Sequence, residues 1–350
     1  MTLARAEQPE REAVLRLHGL DIARFLAFCG MVLVNFRIAA QVVPAGDMPS
    51  VLTNALEGRA AALFVVLAGV GLVLGRASRR QILARAGFLF AIGLANLTIF
   101  EADILHFYAL YFLVALPLIR AEAVHLLGAA FGAVILGGMS LLLLDYEAHW
   151  NWETLVYSDF WTFEGFLRHS FFNGWHPVFP WAGFLFVGMW VGRQQLSSKK
   201  VQNRLVLWGL VAAVAGMLPG QFVTDPALQE LLGTASIPPG PFYILAASGS
   251  ALVIIGLMLR LGAGLDRLGL AEWFTAPGRM ALSLYVAHIL LGMGTLEAMG
   301  QLDGSLTTWE IFGYSLGFCA LSALFTWFWM LLAKQGPLEA LMRRATQGFR

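Results

Sequence analysis

Hydrophobic positions fall into long runs that are separated by short polar or charged segments. The runs have about the length of an α-helix that crosses the hydrocarbon core of a bilayer. Because lipid cannot pair free backbone groups, we expect each run to be helical. The predicted spans are 20–42, 58–75, 84–101, 104–119, 123–144, 177–194, 203–219, 242–261, 278–297 and 309–333. This pattern predicts an all-α polytopic membrane protein with about ten transmembrane helices.

Charge supports this count. The chain is 58% hydrophobic and only 13% charged, whereas soluble domains carry about 25% charged residues. If the N-terminus is cytoplasmic, 19 of the 23 Lys and Arg residues lie in or beside cytoplasmic segments. The exceptions are Arg24, Arg37, Arg59 and Arg168. This bias sets membrane orientation, so both termini are predicted to be cytoplasmic. The predicted organisation is an N-terminal tail (1–18), one transmembrane bundle (19–334) and a basic C-terminal tail (335–350).

The outer segment 145–176 is too long to be a simple turn and is rich in Trp, Tyr and Phe. Such residues favour the membrane–water interface. We therefore expect an interfacial helix or a lid over an outward-facing mouth.

The first span carries polar residues at helical spacing. Asp21 precedes Arg24 by three residues and shares its face, and Asn35 returns to within roughly 20° of Arg24. A charge inside a spanning helix usually faces a protein interior or a wet cavity. The stripe predicts a site or passage for something polar.

Two histidines at the outer side are candidate general bases. His106 begins the fourth span three residues after Asp103, and a carboxylate can orient an imidazole and stabilise its protonated form. The alternative is a helix start that carries acids near the positive end of its dipole. His176 lies in a Gly-, Pro- and Trp-rich turn before the sixth span, where it is either a site residue or an interfacial anchor.

Other polar residues have weaker or open interpretations. His288 lies in the middle of a span, where it is a site candidate or a partner for a neighbouring helix. His18, His125, His149 and His169 are most simply interfacial or solvated. Arg59 could pair with Glu57, with Asp21 or with Asp103, clamp a substrate anion, or form a simple surface ion pair.

The net charge of +1 does not indicate an acidic partner, and no nucleic-acid ligand is expected. We find no metal-ligand spacing, nucleophile elbow or nucleotide fingerprint in the sequence, and two cysteines, Cys29 and Cys319, give no disulfide framework. The basic stretches at 76–85 and 193–204 indicate topology and anionic-lipid contact. They could also receive the phosphates of a cytosolic donor.

Several short blocks resemble the transmembrane acyltransferase superfamily, and within it the bacterial YeiB-type proteins and the heparan-α-glucosaminide N-acetyltransferase. The blocks are Arg16 to Arg24 with Asn35, Glu57-Gly58-Arg59 to Gly71, the block around His106, His176 to Trp181 with Gly192-Arg193, and Gly278 to Leu282 with Tyr285. They are spaced over nearly the whole chain.

The resemblance implies a ten-helix core that carries an acyl group from cytosolic acetyl-CoA, or another acyl-CoA, to an acceptor at the outer face. It implies a bacterial cytoplasmic-membrane location. From the lack of metal-ligand spacing, no metal is expected. His176 and His106 with Asp103 become the candidate catalytic residues. The candidate substrate-binding residues are Asp21, Arg24, Asn35, Glu57, Arg59, Tyr108, Arg279 and His288.

This chain departs from the family at two positions. Asn35 stands where related O-acyltransferases have a histidine in the first helix. Residues 36–57, in the first outer loop, contain no histidine, whereas the heparan enzyme has its active-site histidine there. A catalytic base must therefore come from elsewhere in the chain.

Three functions remain in competition: an acyltransferase acting on a small-molecule or glycan acceptor through a hydroxyl or amine, a transporter of a small polar solute, and a non-catalytic protein that contacts lipid or a partner. Membrane lipid is an expected partner in all three. Helix faces rich in Gly and Ala permit a homodimer.

Overall fold

The computed structural model describes residues 17–349, except the side chains of Ala227 and Trp273. Most of the predicted N-terminal tail lies outside the described residues. The helices are α1 (His18–Ala39), α2 (Met48–Leu56), α3 (Arg59–Leu74), α4 (Arg79–Leu97), α5 (Leu105–Ala115), α6 (Ala123–Leu143), α7 (Phe163–Arg168), α8 (Val178–Gly192), α9 (Lys199–Met217), α10 (Pro226–Leu232), α11 (Pro241–Arg267), α12 (Ala271–Thr275), α13 (Ala281–Ala287), α14 (Gly294–Ala298), α15 (Thr308–Leu332) and α16 (Pro337–Thr346).

Strand structure among the described residues is limited to one antiparallel pair, β1 (Trp150–Asn151) with β2 (Val156–Tyr157). The π-helical turns His169–Asn173 and His288–Met293 follow α7 and α13. The prediction of an all-α membrane protein is confirmed.

Every predicted span coincides with a helical segment. Seven segments of the described chain are long and apolar enough to cross a membrane: His18–Ala39, Met48–Leu74, Ala123–Leu143, Lys199–Phe222, Pro241–Arg267, Pro277–Ala298 and Thr308–Leu332. Two others, Leu105–Leu118 and Val178–Gly192, are apolar but shorter. α4 has 19 residues and carries three arginines. The span count of ten and the cytoplasmic termini stay predictions.

α1 lies at the centre of the bundle, where it contacts α3, α11, α13 and α15. It begins beside the end of α11, where His18 pairs with Asp266. We call this the inner end of the bundle. At the opposite, outer end, Gln41 donates a hydrogen bond to the carbonyl oxygen of Leu302 (3.2 Å).

α3 and α8 cross at glycines. A Cβ atom at Gly188 would meet the carbonyl oxygen of Val66, and one at Gly69 would meet that of Leu185. Only the absence of a side chain allows the two backbones to approach so closely. This contact holds α8, which follows His176, against the core.

We expect Gly188→Ala to lower the melting temperature of the detergent-solubilised protein. An added methyl group in a packed helix contact costs about 1–3 kcal/mol. Gly87→Ala in α4 is the matched control, because its Cβ would meet no atom within 4 Å. Equal melting temperatures for the two variants would contradict the close crossing.

The outer segment 145–176 folds over the outer end of the bundle through Asn173. This side chain accepts a hydrogen bond from the Tyr157 hydroxyl (2.9 Å) and donates to the carbonyl oxygens of Tyr146 and Ala148. Arg168, an exception to the charge bias, forms an ion pair with Asp159 (2.5 Å). The segment therefore contains both an ordered hairpin and a helix, and buries much of its aromatic surface.

Candidate functional site

An inner cavity of about 640 Å³ lies between α1, α3, α4, α5 and the start of α13. Its charged lining comprises Arg24, Arg85, Arg279, Lys334 and Arg343 with Asp21 and Glu339. Leu105 and Tyr108 line it as well. Since α5 begins at the outer end, these two residues mark the deep end of the cavity. The inner cavity thus leads from a cationic mouth to an apolar and aromatic end.

The predicted pairing of Asp21 with Arg24 is present. Arg24 Nη1 donates to Asp21 Oδ1 at 2.5 Å, and Asp21 is only 5% exposed. The pair leaves the Arg24 side chain 29% exposed in the inner cavity. Asn35 lies about 16 Å farther along α1 and lines a different cavity. The polar residues of α1 therefore line two different cavities, at opposite ends of the bundle.

A second inner cavity of about 800 Å³ adjoins the first and shares Leu72, Gln81 and Arg85 with it. Arg76, Arg120 and Arg193 also line it. Residues of both basic stretches, Arg76 and Arg85 from the first and Arg193 from the second, therefore face a common space.

The outer chamber is a small space of about 50 Å³ that brings together Asn35, Glu57 and His176. An outer vestibule of about 810 Å³ adjoins it and shares Ile38, Ala102 and Trp175 with it. Glu101, Glu153 and Glu297 line the vestibule. Three predicted site residues, separated widely in sequence, thus meet at the outer end of the bundle.

Asn35 and His288 form a hydrogen bond, Nδ2 to Nε2, at 3.1 Å. The Nδ1 atom of His288 lies at hydrogen-bonding distance from the carbonyl oxygen of Tyr285, and a carbonyl can only accept. We therefore assign the proton to Nδ1, which leaves Nε2 to accept from the amide. Neutral His288 holds the Asn35 side chain in place at the wall of the chamber.

Asp103 is buried at the start of α5 and accepts three hydrogen bonds. The donors are the Leu105 backbone N–H (2.8 Å), the Asn96 amide (3.1 Å) and the Tyr285 hydroxyl (3.2 Å). His106 Nδ1 lies 3.7 Å from Asp103 Oδ2, which is beyond hydrogen-bonding distance. Asp103 therefore fixes the first turn of α5 and makes only an electrostatic contact with the imidazole.

Three histidines surround Phe107. The ring centroids of His106, His169 and His176 lie 3.9, 5.4 and 5.8 Å from the Phe107 centroid. Both ring nitrogens of His106 and of His169 are buried without a hydrogen-bond partner among the described residues, as is Nδ1 of His176. His169 is 0% exposed, so its interpretation as an interfacial or solvated residue is wrong. Burial under the outer segment, which sequence spacing does not reveal, explains the difference.

Burial and the neighbouring His106 lower the pKa of His176 from 6.5 to about 3. The pKa of His169 is lowered for the same reason. Both rings are therefore neutral near pH 7, and a neutral ring has a lone pair that can accept a proton.

These depressed pKa values predict that the protein loses stability in acid. The unfolded chain binds protons at these histidines below about pH 6.5, whereas burial in the folded chain lowers the pKa of His176 to about 3 and that of His169 well below 6.5. The free energy of unfolding should therefore fall as pH decreases through this window. The melting temperature of the wild type should therefore be lower at pH 4.5 than at pH 7, and this difference should be smaller in His176→Gln. An equal difference in the two proteins would contradict a lowered pKa of His176.

Of the charged candidates at the outer end, Glu57 pairs with Arg37 (2.6 Å), not with Arg59. Arg59 donates to the Thr234 hydroxyl (3.3 Å). Arg37 is thus an ion-pair partner between α1 and the segment after α2, which explains its departure from the charge bias. At the inner end, Arg279 donates to the carbonyl oxygen of Lys334 (3.0 Å). Among residues 17–349 no group of three or more His, Cys, Asp or Glu side chains is arranged to hold a metal ion.

Comparison with protein families gives two matches. The model of the family described as heparan-alpha-glucosaminide N-acetyltransferase, catalytic, matches residues 16–219, more than half of the 350 residues. A second model, described as a protein of unknown function (DUF418), matches residues 190–349. A comparison with curated proteins found no match. The two family matches confirm the resemblance predicted from the sequence.

Proposed function

Because the chain belongs to the heparan-alpha-glucosaminide N-acetyltransferase catalytic family, we propose that it is a membrane acyltransferase. It takes an acyl group, acetyl in the simplest case, from cytosolic acyl-CoA at the inner end. The acceptor is a hydroxyl or an amine that arrives at the outer face of a bacterial cytoplasmic membrane.

One observation carries this proposal: the inner cavity and the outer chamber approach the same turn of α5. Leu105 and Tyr108 line the deep end of the inner cavity. Between them in sequence, Phe107 packs against His176, which lines the outer chamber. About one helical turn of α5 therefore separates the donor side from the acceptor side.

The inner cavity suits a thioester that carries phosphates. Its cationic mouth complements phosphate groups, for which arginine forms strong charge-assisted hydrogen bonds. Its volume lies within the usual range of about 300–1,000 Å³ for ligand pockets. In this arrangement Arg24 lies beside the donor, and the acyl group points towards Tyr108.

The proposed chemistry needs a base and a donor to the oxyanion. The oxygen or nitrogen of the acceptor attacks the acyl carbon, and His176 takes the proton that this atom loses. Tyr108 has a buried hydroxyl without a hydrogen-bond partner among the described residues, and it can donate to the developing oxyanion. The carbon–sulfur bond then breaks, and the CoA thiolate takes up the proton and leaves as a thiol. Asn35, held by His288, orients the acceptor.

Binding of acetyl-CoA to the purified protein tests the donor assignment. We expect saturable binding that Arg24→Ala weakens about tenfold, since the variant removes a cation from the inner cavity. Arg204→Ala is a control in the inner end of α9, because Arg204 lines neither inner cavity. Absence of binding to a folded wild-type protein would refute the proposed function.

A solute transporter is the second candidate, because cavities occur on both sides of the same helical turn. Such a protein would move an unmodified solute without releasing a thiol from acyl-CoA. Measuring both solute flux and thiol release separates the two functions.

A further inference from the structure

The inner cavity is built from both parts of the chain. Asp21, Arg24 and Tyr108 lie in the part matched by the catalytic family, at 16–219. A second part of its wall comprises 11 residues between Gly278 and Gln347, among them Arg279, Leu282, Glu339 and Arg343. All of these lie outside the catalytic match and inside the match of unknown function at 190–349. The catalytic part alone leaves the cavity without this wall.

We infer that α16 completes the donor site, with Arg343 as a contact for the donor's phosphates and Glu339 as the residue that positions the helix. This inference rests on the proposed function. In this arrangement the C-terminal part of the chain contributes to binding of the donor.

Glu339 holds α16 against the start of α13. Its Oε1 atom accepts from the backbone N–H groups of Leu282 (2.8 Å) and Ser283 (3.1 Å), and its other oxygen accepts from the Ser283 hydroxyl. Leu338 N–H donates in turn to Ser283 Oγ (3.0 Å). The first N–H groups of a helix otherwise lack partners. A carboxylate at this position therefore makes a strong and specific joint between the two helices.

The chain on either side of α16 is also fixed. Before it, Trp329 Nε1 donates to the carbonyl oxygen of Gln335 (2.9 Å). After it, the carbonyl oxygen of Phe349 accepts a hydrogen bond (3.1 Å) from the hydroxyl of Ser78, the residue before α4. A Cβ at Gly336 would collide with the Glu339 carboxylate. The helix is thus a fixed wall of the cavity.

Arg343 follows Glu339 by four residues and shares its helix face. Both side chains line the inner cavity. Arg343 has no ion-pair partner among residues 17–349, so its charge is available to a ligand. The next residue, Arg344, belongs to the same helix but does not line the cavity. Of these two adjacent arginines, only Arg343 lines the inner cavity.

Binding of CoA and of pantetheine, which has the same thiol arm without phosphates, tests the inference in the full-length protein. We expect Arg343→Ala to weaken CoA binding about tenfold and to leave pantetheine binding unchanged. Arg343→Lys should restore part of the affinity. Arg344→Ala should bind both ligands as the wild type does, and similar melting temperatures would show that the variants are folded.

Glu339→Ala tests the positioning role. With Arg343 still present, this variant should also lose CoA affinity, while a double variant with Arg343→Ala should lose little more than either single variant. Additive losses would overturn the positioning role.

The inference is overturned if wild-type protein binds CoA and the two arginine variants behave alike, or if Arg343→Ala weakens pantetheine equally. In either case the proposed function stands. If wild-type protein binds no CoA, the proposed function fails first and this inference fails with it.

Discussion

His176→Gln is expected to reduce kcat/KM for acyl transfer by about 100- to 10,000-fold, the usual contribution of a general base. The amide is similar in size to the imidazole but cannot accept a proton at neutral pH. The His176 Nδ1 atom has no hydrogen-bond partner to lose among the described residues. The melting temperature at pH 7 should therefore change little while the rate of thiol release collapses.

His149→Gln is the matched control. His149 belongs to the same outer segment, but its side chain is 43% exposed and it lines neither the outer chamber nor the vestibule. Its activity should stay near that of the wild type. Wild-type rates in the His176 variant would remove this residue from the mechanism and leave His106 as the remaining candidate base.

Tyr108→Phe should lower kcat about 100-fold and leave the protein at least as stable as the wild type. A donor to an oxyanion is worth about this much. The buried Tyr108 hydroxyl has no partner among the described residues, so its removal takes away no hydrogen bond and relieves an unfavourable burial. A loss of rate without a loss of stability distinguishes a functional hydroxyl from a structural one.

Tyr314→Phe, on an exposed face of α15, controls for the loss of a hydroxyl as such. A Tyr108 variant with unchanged kcat, or one in which acetyl-CoA affinity alone falls, would contradict the oxyanion role. In the latter case Tyr108 would contribute only to binding of the ground state.

The positions of the membrane helices are predictable from local sequence, because each one is an apolar run with its own boundaries. α4 is predicted by charge as well as by hydropathy. Its arginines make it less apolar than its neighbours, yet the alternation of inner and outer charges predicts a helix there, and a helix of 19 residues is present. Short-range pairs are predictable for the same reason: Asp21 and Arg24 are three residues apart, and helical geometry alone brings them together.

Long-range partners are not predictable in this way. Asn35 and His288 are separated by 253 positions, and no pattern in either helix indicates that they meet. His169 belongs to a segment whose aromatic residues suit both an interface and a buried lid. The sequence predicts only a basic C-terminal tail, whereas the structure has a helix there that Glu339 joins to α13. In each case packing between distant segments decides the role of the residue.

The most direct test of the account uses purified protein in sealed vesicles. Acetyl-CoA with a labelled acetyl group is added outside, and glucosamine, which offers both an amine and hydroxyls, is trapped inside. Protein molecules whose inner end faces the outside of the vesicle should transfer labelled acetyl groups to the trapped sugar. One CoA thiol should be released outside for each acetyl group transferred to the sugar inside. The His176→Gln protein should do neither. Two results would contradict acyl transfer across the membrane. In the first, labelled sugar forms only when donor and acceptor are on the same side. In the second, unmodified sugar crosses the membrane without thiol release.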